Sequence, residues 1–155
     1  MNASVASTRR LPTPHAVGEP VLLYDGRCGL CARSVQFVLR HERGSHRLRF
    51  ATLQGRYGVN AVGGHGSLAA VDSVVWLDAS PVGAAGRTLV RSDAVLAVLE
   101  HLGGGWRWLA RLGRLVPRMS RDALYRVVAR YRYRLFGQDG SCLVPTPAQR
   151  ARFLE

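Results

Sequence analysis

A chain of 155 residues, 47% of them hydrophobic, has the size of one domain and enough apolar surface for a core that needs no staples. It holds no apolar run of the ~18 to 20 residues that span a bilayer, and three cysteines are too few for a disulfide scaffold. Its net charge of +12 is all arginine, scattered from Arg9 to Arg152 without the stripe expected of a dedicated nucleic-acid protein.

Residues 1 to 19 carry Arg9 and Arg10 with no apolar segment behind them, so they read as a flexible leader and not a secretory signal. The expected compartment is a reducing cytoplasm, where a close cysteine pair is more often catalytic, redox-sensing or metal-binding than structural. From residue 20 the run PVLLY ends at the Asp25-Gly26 turn signal and predicts a short buried strand. Cys28, Cys31, Val35, Val38 and Leu39 then recur on one helical stripe, which Gly44 ends. Residues 47 to 51 alternate arginine with apolar side chains and predict a second strand.

The glycine-rich stretch 54 to 70 predicts a loop with one short helix. Residues 73 to 77 and 87 to 91 predict a hairpin turned at 78 to 86. Ser92 and Asp93 suit a helix start, Ser92 as cap and Asp93 against the dipole, with Val95, Val98, Leu99 and Leu102 as the buried stripe. After three glycines a helix runs from 106 to Pro117. A last helix, 121 to 136, is expected to dock Leu124, Val127, Val128, Tyr131 and Leu135 on the sheet and leave Arg126, Arg130 and Arg134 in solvent. The order β-α-β, hairpin, helix is the thioredoxin arrangement of an α/β fold, here with extra C-terminal helices. The domain is drawn at 20 to 143, with 144 to 155 as a tail.

That order puts Cys28 and Cys31 where the first strand hands over to the first helix. Residues three apart share a helix face with Cβ atoms about 5 to 6 Å apart, so a small adjustment closes a disulfide. At the helix start, unpaired N–H groups and the dipole favour a thiolate, the form that attacks a disulfide. Cys28, expected to be the more exposed, is therefore the attacking thiolate, and Cys31, at the head of the buried stripe, the resolving thiol. Gly29 would let a partner backbone approach and Leu30 would offer an apolar contact. This reading requires a Cys28 sulfur that water can reach.

Asp25 has two readings: a carboxylate that takes or relays the Cys31 proton, or a turn residue bonding its own loop. Cys142 reads as a buried free thiol or a third redox partner. The rival to redox chemistry is a binding module. Either zinc would be held by Cys28, Cys31, Cys142 and one of His41, His46, His65 or His101, or the arginines would bind nucleic acid or an anionic surface. None of those histidines stands at a paired ligand spacing, so the favoured reading names no metal and no cofactor.

The element DGRCGLC resembles the signature of the DCC family of thiol-disulfide oxidoreductases. LRFATLQG, SVVWLD, RSDAVLAVLEHLGG and LYRVVARYRYRLFG follow in the family's order, so the resemblance covers about residues 20 to 143. It implies a thioredoxin-like domain performing dithiol-disulfide exchange, with Asp25, Cys28 and Cys31 as the signature site. Its partners would be a protein or small-molecule disulfide and an external thiol reductant. The sequence departs from thioredoxin in three places: Gly29-Leu30 replaces a proline-containing pair, Arg27 stands where thioredoxin has tryptophan, and no proline precedes SVVWLD. In glutaredoxin-like relatives the helix start matching Ser92 and Asp93 helps bind a substrate carboxylate, the alternative there to plain capping.

Overall fold

Four consecutive apolar residues make β1 (Val21–Tyr24), which is buried on both faces and central in the sheet. The computed structural model describes residues 19–43, 47–63, 73–78, 87–137 and 145–154. In chain order, β1 is followed by α1 (Gly29–His41), β2 (Arg49–Thr52), α2 (Arg56–Gly63), β3 (Val75–Leu77) and β4 (Thr88–Val90). Then come α3 (Ser92–Leu102), α4 (Gly104–Leu115), α5 (Arg118–Phe136), α6 (Pro147–Arg150) and β5 (Phe153–Leu154). The sheet order is β4-β3-β1-β2-β5. β1 runs parallel to β2, with Leu22 opposite Phe50, and antiparallel to β3, with Leu22 opposite Trp76. This is the thioredoxin-like α/β arrangement, extended by C-terminal helices.

The pleat divides the core into two layers. Leu22, Tyr24, Phe50 and Trp76 face α1 and α3, while Val21, Leu23, Ala51 and Val75 face Tyr57, Ala61 and Val62 of α2. Gly58 makes the second layer possible, because a Cβ there would lie 2.1 Å from the Thr52 carbonyl oxygen.

Four expectations need correction. Residues read as a tail supply α6 and the edge strand β5, which pairs parallel with β2. The Arg152 guanidinium holds that strand by donating to Glu42 and to the Leu48 carbonyl at 2.7 Å. α3 is rotated from the expected phase: Ala94, Leu96, Ala97 and Leu102 are buried while Val95 is exposed. Its cap is Arg91, at φ 54, and Ser92 is already inside the helix.

The largest correction concerns α5. Leu124, Val127, Val128, Tyr131 and Leu135, expected on the sheet, are all exposed. Polar anchors choose the buried face instead. Arg132 reaches Asp25, the Tyr125 hydroxyl accepts from Val74 N–H at 3.1 Å, and Arg121 pairs with Asp93 at 3.0 Å. Leaving the buried Asp25 carboxylate without its cation would cost about 3 to 5 kcal/mol, comparable to burying two apolar side chains, and the other two anchors add to it. Gly44, the turn at 79 to 86 and Cys142 lie outside the described residues.

Candidate active site at the head of the first helix

The chain leaves β1 at Asp25 and turns through exposed Gly26 and Arg27 into α1. Asp25 makes the turn: its Oδ1 accepts from Arg27 N–H at 3.0 Å, and its carbonyl accepts from Cys28 N–H at 3.2 Å. Cys28 is the N-cap of α1, and its Sγ accepts from the Cys31 backbone N–H at 3.3 Å. The cap is normally a hydroxyl or carboxylate oxygen. Here the Cys28 sulfur takes that place and satisfies one of the otherwise unpaired N–H groups of the helix start. Both cysteines are free thiols.

Cys28, expected to be the more exposed, is the more buried, 1% of its surface accessible against 7% for Cys31, so the requirement that water reach its sulfur is not met in this conformation. Cys28 belongs to the core cluster around Leu22, Tyr24 and Val35, and the C-terminal end of α5 packs on the next residue, Gly29. The Gly137 carbonyl faces Gly29 N–H at 3.5 Å, and the Phe136 carbonyl oxygen would stand 2.3 Å from a Cβ on Gly29. The open side of Gly29, expected to admit a partner's backbone, is occupied by this chain's own.

Cys31 lies one turn deeper. Burial pushes its thiol up to about 12, helped by the hydrogen bond to Cys28 and by the charge of that sulfur, while Arg132 and the Asp25 N–H act in the opposite sense. Arg132 is itself buried, and donates to Asp25 Oδ2 at 3.2 Å and to the Tyr133 hydroxyl at 2.8 Å. Tyr133 in turn donates to Asp25 Oδ2, and Gln54 Nε2 donates to Oδ1 at 2.9 Å. The Asp25 carboxylate is thus saturated by four donors. Burial works to raise its pKa, but the bonds from Tyr133, Arg27 N–H and Gln54 and the charge of Arg132 prevail and hold it below the usual range.

Arg132, Tyr133 and Gln54 were missed from sequence as site residues. Gln54 stands in LRFATLQG, and the other two in LYRVVARYRYRLFG, both segments that carry the family resemblance. That was the one available signal. Of the remaining expected residues, Arg27 is exposed beside the turn and Leu30 is half-buried. Ser92 donates its hydroxyl to Asp122, and Asp93 pairs with Arg118 and Arg121. The side chains at the start of α3 are thus engaged with α5, Asp93 and Asp122 being paired with arginines of that helix.

Beside Cys31 an apolar cavity of about 380 Å³ opens between α1, α3 and α5. Leu22, Tyr24, Leu30, Val95, Leu124 and Val128 form much of its wall. Four of its polar lining groups are engaged elsewhere: Ser34 with the Leu30 carbonyl, Ser92 with Asp122, Arg121 with Asp93 and Tyr125 with Val74 N–H.

Among the described residues no group of three or more His, Cys, Asp or Glu side chains could hold a metal. His101 donates to Glu42 at 2.6 Å and His41 Nδ1 faces the Phe37 carbonyl at 2.8 Å, while His46, His65 and Cys142 lie outside the described residues. No helix among the described residues is long and apolar enough to cross a membrane.

No solved structure matches the chain. It is 33% identical over 143 residues to "Uncharacterized protein YuxK" of Bacillus subtilis (strain 168), covering 92% of this chain and 98% of that protein. It is also 33% identical over 124 residues to "DCC family protein At1g52590, chloroplastic" of Arabidopsis thaliana, covering 79% of this chain and 68% of that protein. With a dithiol capping its first helix and residues 22–138 matching the family described as DCC1-like thiol-disulfide oxidoreductase, the chain belongs to that family.

Proposed function

We propose that the protein is a thiol-disulfide oxidoreductase in which Cys28 attacks and Cys31 resolves. The observation that carries this is the Cys28 sulfur in the cap position of α1, accepting the Cys31 N–H, with a second thiol one turn deeper. The Cys28 thiolate attacks one sulfur of a substrate R–S–S–R′, forming Cys28–S–S–R and releasing R′S⁻, which water protonates. Two causes that raise the Cys31 pKa, the Cys28 charge and its hydrogen bond, then disappear, while Arg132 remains beside it. Cys31 loses its proton to solvent and attacks the Cys28 sulfur, releasing RS⁻. The substrate has gained two electrons, the protein holds a Cys28–Cys31 disulfide, and an external thiol restores it.

Asp25 belongs to this site as a positioning residue. Its lone pairs are filled, so it is a poor proton acceptor; it fixes Arg132 near Cys31 and supports the turn that presents Cys28. Access to Cys28 requires the last turn of α5 to lift. The apolar cavity beside Cys31 suits a substrate with an uncharged, apolar group next to its disulfide.

The test is a disulfide-reduction assay with paired variants. Cys28→Ser should lose exchange altogether, and Cys31→Ser should accumulate mixed disulfides that a thiol reductant releases. Parental turnover in both variants would overturn the reading.

A further inference from the structure

Helix α4 is turned the wrong way round for a globular protein. An amphipathic helix normally hides its apolar stripe and wets its polar one. Here the side facing α3 is built from small residues: Ala110 is fully buried, and a Cβ on Gly113 would meet Leu96 at 2.7 Å. The opposite side carries Trp108, Leu109, Leu112 and Leu115, continued by Val116 and Met119 at the start of α5. Spacings of three and four place the four α4 residues on one outward strip, while Val116 is its extended C-cap and Met119 lies across the break at Pro117. Trp108, Leu115 and Met119 are 65%, 79% and 84% accessible. Chance exposure of single leucines is ordinary, but four large apolar residues exposed on one helix face, with two more exposed just beyond its end, are not.

The charge carried by the helix segment itself is of one sign. From His101 to Arg121 the chain has five arginines and no carboxylate. Arg107, Arg111 and Arg114 lie together on one flank of the helix, and the Arg111 guanidinium sits 5.2 Å over the Trp108 ring. Among the described residues Arg107 and Arg111 meet no carboxylate in an ion pair, whereas Arg114 is held by Glu100. A second copy seated on this face would bring arginine flank against arginine flank in a molecule of net charge +12. An anionic surface with an apolar interior satisfies both features at once: leucines and tryptophan enter the acyl boundary while arginines stay with the headgroups.

We propose that the outward face of α4 docks the protein on anionic lipid bilayers, lying in the interface without spanning it. The proposal stands apart from the redox reading, because it is tested by binding and not by exchange. Full-length protein is sedimented with vesicles of phosphatidylcholine alone or with about one-third phosphatidylglycerol, at low and high salt. Partition should be strong on the anionic vesicles and fall as salt screens the arginines. It should drop at least about tenfold in Leu112→Glu/Leu115→Glu, each leucine contributing an apolar side chain to the interface. Trp108 should report entry by a blue-shifted emission that Trp108→Phe removes; Trp76 is buried and Trp106 partly so. Val59→Glu, an exposed apolar position on α2, should bind like the parent. Equal partition on neutral and anionic vesicles, or equal partition of parent and double variant, overturns the proposal. So does self-association that the double variant abolishes without any vesicle binding, which would assign the face to a second copy.

Discussion

Gly29→Ala probes the cover over Cys28 directly. The new methyl group would sit 2.3 Å from the Phe136 carbonyl oxygen and 3.3 Å from its carbonyl carbon. Unstrained contact needs about 1 Å more than the shorter distance, and the obstacle is backbone, which cannot swing aside as a side chain does. Either the α5 end retreats or the overlap persists as strain of about 1 to 3 kcal/mol. That strain should lower the melting temperature by roughly 2 to 12 °C for a domain of this size. Lifting the α5 end relieves it, so the population with Cys28 uncovered should rise about 5- to 150-fold, one decade per 1.4 kcal/mol. The assay is the rate of thiol labelling in a Cys31→Ser/Cys142→Ser background, beside thermal unfolding. Unchanged labelling in a destabilised variant would mean that the overlap is relieved elsewhere and that the α5 end is not the cover. Unchanged labelling and unchanged stability would refute the packing itself.

Two further predictions concern stability. Asp25 and Glu42 are both held below the usual carboxylate range against the effect of burial, Asp25 by the donors described above and Glu42 by His101, Leu48 N–H and Arg152. A depressed folded pKa contributes stability that is present above the unfolded value of about 4 and lost as pH falls through the folded one. Urea midpoints should therefore be flat near neutrality and fall steeply below about pH 4; Asp25→Asn should be less stable at pH 7 and show a shallower acid limb. Gly58→Ala and Gly113→Ala should part company despite identical chemistry. The first meets the Thr52 carbonyl at 2.1 Å and should cost about 3 kcal/mol or more. The second meets the end of the Leu96 side chain, gains helix propensity in α4, and should stay within about 1 kcal/mol of the parent by denaturant titration.

The parts of the fold that could be read from sequence are those set by local pattern. β1 is an apolar run before Asp-Gly, and the α1 stripe of Cys31, Val35 and Val38 is buried as periodicity demands. The rotation of α3 and α5 could not be read, because it is decided by partners far along the chain. Asp25 and Arg132 are 107 residues apart, and no window of sequence contains both. β5 was hidden for the same reason: two residues have no periodicity, and what makes them a strand is Arg152 bonding Glu42 and Leu48 across more than a hundred positions. The dithiol was legible down to its place at the helix start. Its burial was not, since it depends on tertiary packing, including a helix end from more than a hundred residues away that comes against Gly29 where there is no side chain.

The arrangement of that cover also decides how the site can open. Lifting all of α5 would withdraw Arg132 from Asp25 and Cys31, and breaking a buried ion pair costs about 3 to 5 kcal/mol. The last turn is held far more weakly. Beyond Tyr133, the contacts with the head of α1 are the Gly137 carbonyl facing Gly29 N–H at 3.5 Å, at the outer limit of a hydrogen bond, the Phe136 carbonyl packed on Gly29, and the Arg33 guanidinium 5.6 Å from the Phe136 ring centroid. Helix ends fray at little cost. The low-energy opening is therefore confined to the turn after Tyr133, which uncovers Cys28 and leaves the cation beside Cys31 in place. In the proposed exchange Cys28 would then gain access to solvent while Cys31 keeps the Arg132 charge near it. This is the reason Gly29→Ala, which strains that turn and spares Arg132, should raise Cys28 reactivity without unlatching the rest of the site.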